Sequence, residues 1–233
     1  IAEGADIIDL GGESTRPGAE PTPAEEQMRR AIPVIREIRT RNSDVAISID
    51  TRSAAVARAA VDAGADIIND VSALRDDPDM VDVVAASGAA VVLMHRRGTS
   101  RDMQNGGGPH YGDVIAEITA FLQQRRDFAA GRGIDRSRII LDPGLGFGKR
   151  VEHNLSILRH LDRFVALGQP ILVGASRKRF LGSVLGMDEP RQRLAGSLAC
   201  AVIAALAGAA ILRVHDVLDT VEAVRLSSAV RGE

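Results

Sequence analysis

GADIIND, residues 64–70, decides how this chain is read: a glycine leads into an apolar run with two isoleucines, and the run ends on Asn69 and Asp70. A glycine at the head of such a run closes a preceding helix in the left-handed conformation, and consecutive β-branched residues then favour an extended strand. The unit recurs. GADIID (4–9), GAAVVLMH (88–95) and GAAILRVHD (208–216) keep the same order, and VAISID (45–50), RIILD (138–142) and PILVGAS (170–176) add further apolar runs of strand length. Seven strands apolar on both faces, separated by helix-length segments, imply a parallel sheet with crossover helices. The segments between carry helix signals: Thr22-Pro23-Ala24-Glu25 reads as a capping box with proline in the first turn, and 113–131 and 216–230 show helical spacing.

The strands share a second property. Asp9, Asp50, Asn69, His95, Asp142, Lys178, Arg213 and His215 lie at or just beyond the C-terminal ends of different strands. One such residue is explained by a turn or a helix cap, but not all of them together. A barrel of repeating β/α units brings these ends to one mouth, whereas an open doubly wound sheet strings them along an edge. The expected fold is therefore α/β, a (β/α)8 TIM barrel, with residues 1–233 forming a single domain. Seven strands are one short of closure, and the sequence opens at Ile1 inside a helix-to-strand unit, so the first strand is expected to be missing from this chain.

The 233 residues are 45% hydrophobic with a formal net charge of -2, which suits a globular α/β domain. Aromatic residues make up 3%, and no basic stripe accompanies them, so a nucleic-acid surface is not expected. Residues 195–212 are uncharged over a membrane-span length, yet they are alanine-rich and run into a strand, so a buried or interface helix is expected and no membrane. A single cysteine, Cys200, and no opening signal stretch point to the cytoplasm.

Of 29 basic residues only Lys149 and Lys178 are lysines, which is either chance or a need for a compact point charge that a planar guanidinium does not supply. DPGLGFGK (142–149) lacks the glycine, serine or threonine positions of phosphate-loop and dinucleotide motifs, and reads instead as a close-approach loop with Phe147 available to cover a flat ligand. No zinc-spaced His/Glu pair is present, so a protein-caged transition metal is not expected. GASRKRFLG (174–182) follows a strand and opens a helix, a place that favours anions. Arg213 and His215 alternate about Val214 and so point the same way, as a diphosphate clamp requires. Cations and acidic or amide termini around one mouth call for a ligand with an anionic end and a donor-rich end. Asp50 and Asp142 suit the paired N–H groups of an amino-pyrimidine.

Taken in order, DLGGESTRPGAEP (9–21), SIDTR (48–52), IINDVSAL (67–74), VLMHRRGTSRDMQ (92–104), LDPGLGFGK (141–149), GASRKRFLG (174–182) and LRVHDV (212–217) resemble the dihydropteroate synthases over essentially the whole chain. The resemblance implies a barrel enzyme that condenses 6-hydroxymethyl-7,8-dihydropterin pyrophosphate with p-aminobenzoate, releases pyrophosphate with the help of Mg2+, and is inhibited by sulfonamides. It implies a pterin site of Asp50, Asn69, Asp142 and Lys178 walled by Met94 and Phe147, with Asp50, Asp142 and Lys178 as the catalytic set. It gives p-aminobenzoate to Thr15, Arg16, Pro17 and Ser176, and the pyrophosphate to Arg213 and His215. It also implies a homodimer through the C-terminal helices. Two departures stand out: Arg179 occupies a position where many relatives have serine, and the asparagine that helps hold the metal belongs to the first strand, so no metal ligand is expected in this chain. Two rival readings are a non-catalytic pterin-binding paralogue and, lower, a methyltetrahydrofolate-dependent methyltransferase barrel, which has no use for the STRPG loop or the RVHD clamp.

Overall fold

The computed structural model describes residues 1–14, 20–42, 44–98 and 110–232. All seven expected strands are present: β1 (Ile7–Gly11), β2 (Ala46–Asp50), β3 (Ile67–Asp70), β4 (Ala90–Met94), β5 (Ile139–Asp142), β6 (Leu172–Val173) and β7 (Ile211–Leu212). Strands β1 to β5 pair in sequence order, every pair parallel, and β6 pairs parallel with β7. A bridge between Leu141 and Ile171 joins the two sheets. Side chains draw the far edges together, because Arg213, one residue past β7, reaches Asp9 on β1 and Asp50 on β2. The fold is the expected TIM-type β/α barrel.

The helices are α1 (Ala24–Arg41), α2 (Ala54–Asp62), α3 (Met80–Ser87), α4 (Val114–Gly131), α5 (Val151–Arg159), α6 (Leu161–Val165), α7 (Arg179–Leu185), α8 (Leu194–Leu206) and α9 (Val217–Arg231). They cover the outer face of the sheet and bury Ile47, Ile49, Ile68, Val91, Leu93, Ile139 and Leu141 between the layers. Each such side chain stabilises the fold by about 1.5–3 kcal/mol relative to exposure. The repeat glycines behave as their position demands: Gly4, Gly64, Gly88 and Gly208 all have positive φ. Residues 195–212 divide into α8 and β7, and among the described residues no helix is long and apolar enough to cross a membrane.

One local expectation fails. Helix α1 starts at Ala24 with Pro23 as its N-cap and no side-chain cap bond. Thr22 is held through its backbone instead: its N–H donates to Glu13 Oε1 and its carbonyl accepts from Gln27 Nε2. At α4 the expected helix is present, and Asp113 caps it, accepting from Ile115 and Ala116 N–H at 3.0 Å.

Candidate active site

A strand turns alternate side chains to opposite faces, so the site can be built by counting in twos from the barrel axis. Ile67, Val92, Ile140 and Leu172 form a small apolar cluster apart from the main core, with Ile7, Ala90 and Ile211 against it. Two residues further along each strand, toward the C-terminal end, stand Asp9, Asn69, Met94, Asp142, Gly174 and Arg213, and Asp50 joins them from β2. Register aligns them: Asp50 pairs with Asn69, and Met94 with Asp142. An apolar plug therefore carries a layer of mostly polar groups. Asp50, Asn69, Met94 and Asp142 are all buried.

Burial dominates the electrostatics of this layer. It raises the Asp50 carboxyl to about 7, with neighbouring Asp9 adding to the rise and Arg213 opposing it. It also raises Asp142, against the pull of Lys178 and of the Gly144 N–H, which donates to Asp142 Oδ1 at 2.6 Å. The Lys178 ammonium is pushed down to about 8 by the same burial, against Asp142. Lys178 Nζ donates to the Leu145 carbonyl and lies 4.7 Å from the centre of the Phe147 ring. Arg213 bonds Asp9 Oδ2 at 2.6 Å and Asp50 Oδ2 at 3.1 Å. One step further out, Ser176 Oγ lies 3.0 Å from His215 Nδ1 and accepts the His215 N–H at 3.2 Å. The strand ends thus gather acids, an amide and a lysine, with Arg213 beside them and a Ser176–His215 pair one step further out.

The sequence pattern of the pterin binding enzymes matches residues 1–215. Dihydropteroate synthase of Escherichia coli (strain K12) is 46% identical over 229 residues, covering 98% of this chain and 79% of its own length. The chain belongs to the dihydropteroate synthase family of pterin binding enzymes. The structure of the Xanthomonas albilineans dihydropteroate synthase with 4-aminobenzoic acid superposes with a TM-score of 0.92 at 48% identity, over 100% of this chain and 81% of that one. The Yersinia pestis dihydropteroate synthase in a sulfonamide drug complex gives a TM-score of 0.95 at 43% identity, over 100% and 82%.

In this member of the dihydropteroate synthase family, Asp50, Asn69, Met94 and Asp142 stand at neighbouring strand ends, Arg213 bonds Asp50 and Lys178 lies against Phe147, and Ser176 and His215 are in contact with each other. Thr15, Arg16 and Pro17 lie outside the described residues. Sequence reasoning named Asp9 as a polar strand end but gave it no task, whereas the structure ties it to both Arg213 and Asp50. It also left Lys149 without a partner. That amine is buried 3.0 Å from His95 Nδ1, and donates to the carbonyls of His95 at 3.2 Å and Phe147 at 3.1 Å. The scarcity of lysine was the only signal that could have found it.

The Mg2+ implied for this family can be tested against the donors present. Asp9 Oδ1 and Asp50 Oδ1 are buried without a hydrogen-bond partner, and such hard carboxylate oxygens are what magnesium accepts. Among the described residues no group of three or more His, Cys, Asp or Glu forms a cage. Carboxylate oxygens of this kind suit an ion that draws its other ligands from water and a substrate phosphate.

Proposed function

We infer that this chain is an enzyme of folate biosynthesis, a transferase that joins 6-hydroxymethyl-7,8-dihydropterin pyrophosphate to p-aminobenzoate. The observation that carries the reading is the layer on the apolar plug, where buried acids, an amide and a lysine meet within reach of a guanidinium. Asp50, Asn69, Asp142 and Lys178 are the pterin ligands, and Met94 and Phe147 the walls. The acids accept the N–H pair of the amino-pyrimidine edge, and their burial makes a ring lacking those donors a poor fit. The C–O bond to the diphosphate breaks with its electron pair, and Asp50 and Asp142 stabilise the positive charge left on the pterin methylene. The amine nitrogen of p-aminobenzoate then bonds to that carbon and releases a proton. Ser176, with Thr15, Arg16 and Pro17, holds p-aminobenzoate, and sulfonamides compete there. Arg213 and His215 receive the diphosphate.

Against the expectation of no metal ligand in this chain, Asp9 through its open Oδ1 would help to hold Mg2+, which when bound would neutralise charge on the leaving diphosphate. A homodimer through α8 and α9 is supported by Ile203, Leu206, Leu218, Leu226 and Val230, which are 48%, 42%, 51%, 69% and 81% exposed. The buried free thiol of Cys200 fits a reducing cytoplasm. Incubating the folded protein with both substrates and magnesium should yield 7,8-dihydropteroate and diphosphate, with loss of turnover on chelation. Saturable pterin binding with no diphosphate released would overturn the reading in favour of a binding protein.

A further inference from the structure

Residue 177 is an arginine with φ +58°, a left-handed conformation that side-chain-bearing residues adopt at a cost. It is the third residue of the turn closed by Lys178 N–H to the Ala175 carbonyl at 3.2 Å, a position where such turns usually place glycine. Its neighbours in the chain are Ser176 and Lys178, which reach different partners: Ser176 to His215, Lys178 to Leu145 and Phe147. The backbone angles at 177 therefore set the angle between two ligand-bearing side chains.

Three contacts from outside the cavity grip this residue. The Arg177 N–H donates to Ser197 Oγ at 3.0 Å. The Arg177 carbonyl accepts from Arg193 Nη1 at 3.0 Å. The Arg177 guanidinium pairs with Asp216, with Nε 3.1 Å from Oδ2. Arg193 is itself buried, and its guanidinium bonds the carbonyls of Met187 and Asp188 as well. Among the described residues it meets no carboxylate, so a permanent charge is spent on three backbone oxygens. Space is kept clear for it, since a Cβ on Gly182 would stand 2.6 Å from Arg193 Nε. Ser197 completes the unit by donating to the Arg193 carbonyl at 2.8 Å.

We propose that Arg193 and Ser197 are positioning residues for the reaction: they hold Arg177 in its left-handed conformation and so aim Ser176 and Lys178 into the cavity. The proposal rests on the reading of those two side chains as ligand-binding.

The test is a double-mutant cycle on folded, full-length protein. Ser197→Ala leaves the Arg177 N–H without its acceptor and should lower kcat/KM by about 100-fold, since a side chain misplaced by ~1 Å can cost that much. In an Arg177→Gly background the same change should cost far less, because glycine takes the left-handed conformation unaided. Arg193→Met should act like Ser197→Ala, and if it does not fold, the Ser197 cycle decides alone. A lower melting temperature with unchanged kinetics per folded molecule, or an equal loss in both backgrounds, would overturn the proposal. A wild-type protein that makes no dihydropteroate defeats the functional reading only. The crystal structure of Ser197→Ala then still decides: residue 177 outside the left-handed region is expected, and an unchanged φ refutes the clamp.

Discussion

The charges of both lysines of this chain act on Asp142, and the two are used in opposite ways. Lys178 presents its ammonium to the cavity, with the Leu145 carbonyl behind it and the Phe147 ring 4.7 Å away. Lys149 turns inward, and the His95 ring nitrogen and two carbonyls take up its donors. Burial lowers both amines from the usual lysine value, and Asp142 opposes the fall in each case. The difference is in what remains available. Among the described residues Lys178 donates one hydrogen bond, to Leu145, whereas Lys149 fastens the 142–149 loop to the end of β4. A compact, rotatable ammonium does either task where a rigid planar fork would not fit.

The largest effect should come from Lys178→Met, which removes a positioned charge from the cavity. Loss of one such donor costs about 10²–10³-fold in turnover. Steady-state kinetics measure it, and a loss under tenfold would break the contrast by making Lys178 a structural lysine too. The pH profile sharpens the point. Lys178 is cationic below about 8, so kcat/KM should fall as pH rises through that value. Stability should move the other way. The unfolded lysine titrates near 10.5 and the folded one near 8, so between them the unfolded chain holds more protons and folding stability rises with pH. Lys178→Met should flatten both trends.

Lys149→Met comes next. Methionine leaves His95 Nδ1 and the carbonyls of His95 and Phe147 without their donor, at ~1–3 kcal/mol for each group that stays dry. Relief of burying an ammonium offsets part of this. The net expectation is a clear fall in melting temperature, with kcat/KM down about tenfold as the Phe147 loop slackens, a misplacement smaller than removal of a catalytic charge. Calorimetry and kinetics on the same sample separate it from Lys178→Met. An intact melting temperature with a thousandfold kinetic loss would reverse the roles of the two lysines.

That division was only half legible in the sequence. The strands were, because a glycine followed by a β-branched run is a local signal, and the polar strand ends were, because period two carries them to one mouth whatever the loops do. Lys149 could be singled out for rarity, but its partner His95 lies 54 residues away. Asp9 meets Arg213 across 204 residues, which no local pattern encodes. Thr22 matched a capping signal and lost it to Glu13, a partner set by the turn after β1. The left-handed backbone at Arg177 was the least legible of all. Arginine has no preference for that conformation, and the groups that enforce it come from α8 and its approach.

Glycines in the 142–149 loop give the smallest and most selective test. A Cβ on Gly144 would strike the His95 carbonyl, and one on Gly148 the Arg97 carbonyl, so alanine at either must displace backbone. Gly146 is different. It has φ +80°, and its Cβ would come 3.2 Å from Lys178 Cδ, a methylene that can give way by a few tenths of an ångström. Gly146→Ala should therefore cost about 1–2 kcal/mol for the left-handed alanine. That is roughly 2–4 °C in melting temperature per kcal/mol for a chain of this size. The steric push falls on the Lys178 stem alone, so KM for the pterin substrate should rise a few-fold while the Lys149 bonds stay intact. If KM is unmoved, Lys178 has slack at its site, and the precision attributed to its amine belongs elsewhere in the layer.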